Sequence, residues 1–83
     1  MTVAFIACRS VTRAQRAVRA LNHAGFRASV KRLPATMPET GCGHAVQIDR
    51  NRLVEALDWL REAEFEVNTV LCRQPDGGLG PCL

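Results

Sequence analysis

Four cysteines, Cys8, Cys42, Cys72 and Cys82, are the residues of this 83-residue chain best suited to covalent chemistry. A cysteine attacks as its thiolate, which nearby cations and helix N-termini favour and apolar surroundings disfavour. Cys42 has the most suggestive neighbours. Gly41 and Gly43 remove side-chain bulk on both sides and permit positive φ, so another molecule's sulfur can come close. His44 projects to the same side as Cys42 if a strand starts here. It can tune the thiol, or it can be a solvent-exposed residue at a strand end. The same Gly-Cys-Gly tripeptide also fits a plain turn that happens to carry a thiol, and spacing alone leaves both readings open.

Other sulfur chemistries fit less well. There is no Cys-x-x-Cys pair, and Cys42 with His44 supplies at most two ligands where structural zinc takes four. Gly77 and Gly78 have no helix after them, so they do not form a phosphate loop. No metal or cofactor is therefore expected. Disulfide frameworks belong to small secreted chains that cannot otherwise build a core. The regular helix and strand patterns here remove that need, so reduced thiols are expected, and whether Cys82 returns to Cys72 stays open.

The elements that position these residues follow from apolar spacing. Residues 2–8 are apolar on both sides, as in a central strand. Ser10 can cap a helix over 11–24, where Ala14, Ala17, Val18, Leu21 and Ala24 recur at intervals of three and four. Gly25 stops it. Residues 26–33 alternate as a half-buried strand, and the loop 34–43 holds two prolines and two glycines. A strand over 44–49 and a helix over 52–64 follow, with Asn51 or Asp49 as cap. A last strand covers 66–72, and the Gly- and Pro-rich segment 74–83 reads as a flexible C-terminal tail carrying Cys82.

The order β-α-β-β-α-β predicts an α+β domain over residues 1–73. Two right-handed crossovers joined by a hairpin give the ferredoxin-like arrangement, a four-stranded antiparallel sheet with both helices on one face. With strand order 4-1-3-2, Cys8, Arg9, Ser10, Arg13 and Cys42 share one edge. Arg9 and Arg13 beside the first helix N-terminus would then favour the Cys42 thiolate. Cys72 leaves at the opposite edge and suits a core role.

The net charge of +3 hides a division. Residues 1–38 hold seven basic residues and no acidic one, whereas 39–83 hold four basic and eight acidic. No aromatic residues interleave with the helical arginines, as base stacking requires, so a solvated helix face is preferred over nucleic-acid binding. No segment approaches the roughly 20 apolar residues of a membrane span. The start lacks a basic signal-peptide region, and a cytoplasmic location is expected.

The chain resembles the selenium/sulfur carrier protein-like family of small bacterial domains. Ser10, Ala14, Leu21, Gly25, Leu33-Pro34 and Gly41-Cys42-Gly43 followed by Ala45 match its pattern, and the likeness covers residues 3–71. Ala7-Cys8-Arg9-Ser10, His44 and the Cys72-to-Cys82 segment depart from it. The resemblance implies a carrier rather than a stand-alone enzyme, in which a cysteine bears sulfur or selenium as a persulfide or selenosulfide. Cys42 would be that thiol and Cys8 a resolving thiol. The implied partners are a donor such as a cysteine desulfurase and an acceptor protein, with self-association open. The alternative is a non-catalytic interaction or regulatory module using the open sheet face, because fold alone fixes no function.

Overall fold

The computed structural model describes residues 2–33, 43–67 and 69–82. Their elements run β1 (Val3–Ala7), α1 (Val11–His23), β2 (Ala28–Arg32), β3 (His44–Asp49), a 3-10 turn (Arg50–Arg52), α2 (Leu53–Glu62), β4 (Val70–Arg73) and β5 (Leu79–Pro81). They build an α+β fold of two helices and an antiparallel sheet, in the order β2-β3-β1-β4-β5.

β1 is central because both of its faces find apolar partners. Ala4, Ile6 and Cys8 join Val46, Ile48 and Cys72 in the cluster that packs on Ala14, Ala17 and Leu21 of α1 and Leu53, Ala56 and Leu60 of α2. Phe5 and Ala7 point the other way, to a second cluster with Leu33, Ala45 and Leu71. Ile6, Leu21, Val46, Ile48 and Leu60 are almost wholly buried, each worth roughly 1.5–3 kcal/mol relative to exposure. β2 closes one border of the sheet with Lys31 and Arg32 exposed.

Both helices end by the same device. In α1 the Gly25 amide bonds Asn22 O at 3.1 Å and the Phe26 amide bonds Leu21 O at 2.9 Å, with Gly25 at φ 98°. In α2 the Glu64 amide bonds Arg61 O at 3.0 Å and the Phe65 amide bonds Leu60 O at 2.8 Å, with Glu64 at φ 66°. This crossed pair of bonds satisfies carbonyls that a helix end leaves without partners. Phe26 and Phe65 then both pack against Trp59, each at a centroid distance of 6.5 Å.

Three expectations are corrected. The sheet has five strands instead of four, since residues 79–81, read as part of a tail, pair with β4. Gln74 and Gly78 close a tight turn, the Gln74 amide donating to Gly78 O at 2.8 Å, with Gly77 at φ 89° where glycine carries no steric cost. Cys72 and Cys82 are not reduced thiols but a disulfide with a Cα–Cα distance of 4.9 Å, which ties β5 to the core. The final strand begins at Val70, not Glu66, because Phe65 is engaged in closing α2 and Glu66 turns toward arginines.

Candidate functional site

β1 delivers Cys8 to the end of the sheet where α1 starts. Beyond the last paired residues, Ala7 opposite Ala45, the Cys8 amide still donates to His44 O at 3.2 Å. On the other side the Ala7 amide donates to Thr69 O at 2.8 Å. Strand alternation puts Cys8 with Ala4 and Ile6 on the helix-covered face. It is 9% exposed, and its Sγ donates weakly to Ile6 O at 3.6 Å.

Arg9 and Ser10 turn the chain into α1. The Ser10 hydroxyl accepts from the Arg13 amide at 3.1 Å, the N-cap its residue type favours. Arg9 and Arg13 thereby project from the first residues after β1 and meet a carboxylate absent from the sequence reading. Arg9 Nε lies 3.2 Å from Glu66 Oε1, and Arg13 Nη1 lies 2.6 Å from Glu66 Oε2. All three side chains are 44–69% exposed, so the pairs add little stability. Their effect is local: one carboxylate neutralises part of the positive charge assigned to supporting a thiolate. Glu66 is the first acidic residue after Phe65, but its partner stands 53 residues away and no periodicity signals it.

A groove of about 440 Å³ opens beside Cys8, between the first turns of α1 and the end of α2. Ile6, Ala17, Val46 and Leu60 line it with apolar surface, and Arg13, Arg16, Glu64 and Glu66 add charge.

Gly43 enters the same end of the sheet. It adopts φ 78°, and its carbonyl accepts from the Leu33 amide at 2.6 Å, closing the β2–β3 connection just before His44. Cys8, Arg9, Arg13, Gly43 and His44 thus gather at one end. Gly41 and Cys42, the other two residues singled out from the sequence, lie outside the described residues. The Cys72–Cys82 disulfide sits elsewhere: Cys72 pairs with Ala4, four residues and so about 13 Å along β1 from Cys8.

Among the described residues no group of three or more His, Cys, Asp or Glu side chains can hold a metal ion. None of the described helices is long and apolar enough to cross a membrane. The groove gives a small molecule room beside Cys8.

No curated protein and no solved structure matched the chain. Residues 4–72, from β1 through Cys72 of β4, match the family described as "Putative Se/S carrier protein-like", and the chain belongs to that family.

Proposed function

We propose that this chain carries sulfur or selenium on Cys42. In uptake, the Cys42 thiolate attacks the outer sulfur of a donor persulfide such as that of a cysteine desulfurase. The new bond makes Cys42 a persulfide, and the donor leaves as a thiolate. In release, the Cys8 thiolate attacks the inner sulfur, a Cys8–Cys42 disulfide forms and hydrosulfide departs to the acceptor protein. A selenium cargo would follow the same bond changes.

The observation that carries this reading is the Cys8 amide bonded to His44 O. It brings the strand that follows Gly41-Cys42-Gly43 against the end of β1, so the two cysteines are joined by short lengths of chain to one paired position. Gly43 at positive φ supports a connection shaped around glycine next to Cys42. We also read the domain as ferredoxin-like, β5 being an addition; the order β2-β3-β1-β4 supports that reading. A carrier fed by a desulfurase would work in the cytoplasm, where the Cys72–Cys82 bond would depend on the near-complete burial of Cys72 to escape reduction.

Mass spectrometry of the protein incubated with a cysteine desulfurase and cysteine tests the proposal. One added sulfur on Cys42, absent from Cys42→Ser and retained longer by Cys8→Ser, is the expected result. A wild-type protein that gains no sulfur on Cys42 overturns it. An interaction module using the same fold would instead keep its partner in Cys42→Ser.

A further inference from the structure

The groove beside Cys8 has a chemical character that the carrier reading does not require. Its floor is apolar, since Ile6, Cys8 and Leu60, all nearly buried, line it. Its charged lining comprises Arg9, Arg13, Arg16, Glu64 and Glu66, three positive groups against two negative ones. Glu66 is occupied by Arg9 and Arg13. Arg16 and Glu64 form no ion pair among the described residues, so one cation and one anion remain to face a visitor. A volume of about 440 Å³ falls within the range of small-molecule sites, roughly 300–1,000 Å³.

A ligand complementary to this lining has a carboxylate for Arg16, an ammonium for Glu64 and a short uncharged tail for the floor. Sulfur suits that tail, because a thioether or thiol is polarisable, tolerates apolar contact and packs well against aromatic residues such as Phe65, which lines the same groove. We propose that the groove binds small sulfur-containing amino acids or their peptides through Arg16 and Glu64, with the ligand sulfur directed toward Cys8. The binding is non-covalent and does not depend on whether Cys42 carries cargo.

The test titrates the intact, disulfide-bonded protein with S-methyl-L-cysteine and, separately, S-methylglutathione, followed by backbone amide NMR. Both probes keep the sulfur but cannot exchange with the Cys72–Cys82 bond. O-methyl-L-serine, which replaces sulfur by oxygen, is the control. Saturable shifts at Cys8, Ala17, Leu60 and Phe65 are expected, with weaker binding of the oxygen analogue. Preference for one probe separates a free amino acid from a peptide. Arg16→Gln and Glu64→Gln, both at exposed positions, should each weaken binding by about tenfold, as loss of one charged hydrogen bond implies. Absence of saturable shifts, equal binding of the oxygen analogue, or shifts unchanged in both variants would overturn the proposal. Because no arm involves sulfur transfer, failure here leaves the Cys42 test standing, and the reverse holds too.

Discussion

Arg13 and Glu66 meet at 2.6 Å across 53 residues of chain, joining the first turn of α1 to the segment that follows α2. Arg9 shares the same carboxylate, so Glu66 decides how much positive charge the Cys8 end of the sheet shows to solvent.

Glu66→Gln should therefore separate stability from reactivity. Chemical denaturation is expected to change by less than about 1 kcal/mol, since the pairs are exposed. Alkylation of Cys8 and Cys42 at neutral pH, followed by mass spectrometry, should accelerate as the guanidinium groups lose their counter-charge. Unchanged or slower alkylation would show that these arginines do not act on the thiols.

Gly43→Ala tests the backbone next to Cys42. Among the described residues an added Cβ would approach nothing closer than Leu33 O at 4.0 Å, so the expected penalty arises from φ 78°. A loss of about 1–2 kcal/mol in unfolding free energy is expected, together with reduced sulfur uptake by Cys42. Wild-type stability in the variant would mean that the left-handed conformation is dispensable.

Glu64→Gly should do the opposite. Glu64 holds φ 66° at the position where α1 places Gly25, and an L side chain there costs roughly 1–2 kcal/mol. Part of the gain returns to the more flexible unfolded chain, leaving a stabilisation of about 0.5–1 kcal/mol in a thermal or denaturant melt. Destabilisation would reveal that the Glu64 side chain contributes more than its backbone costs.

Cys82→Ser opens the ring closed by Cys72 and Cys82 at a sequence separation of 10. The entropy regained by the unfolded chain predicts a loss of about 2–3 kcal/mol. Amide exchange should rise in residues 74–82 and stay slow in β1 and β3. Equal protection in the variant and wild type would show that β5 is held by its strand pairing alone.

What the sequence makes legible depends on how local each determinant is. β1 is readable because Phe5 and Ala7 alternate with Ala4, Ile6 and Cys8, and a strand apolar on both sides belongs at the centre. α1 is readable from Ser10 to Gly25, since cap, apolar stripe and stop lie within one run of chain. β5 escapes because Pro75, Asp76, Gly77 and Gly78 have the composition of a tail and of a turn alike. What decides between them is pairing to Arg73 and the bond to Cys72. The α2 ending is similarly hidden, because glutamate is a poor marker for a left-handed residue. At the candidate site, Cys8, Arg9, Arg13, Gly43 and His44 follow from topology. Glu66 does not, because its role depends on a contact between distant segments that no spacing rule encodes.

β5 is only three residues long and ends in proline, which has no amide hydrogen to donate. An approaching strand would find few backbone groups to bond at that border. At the far border, the positive side chains of Lys31 and Arg32 would repel a second β2 laid alongside. The sheet is thereby guarded at both margins against templating copies of itself.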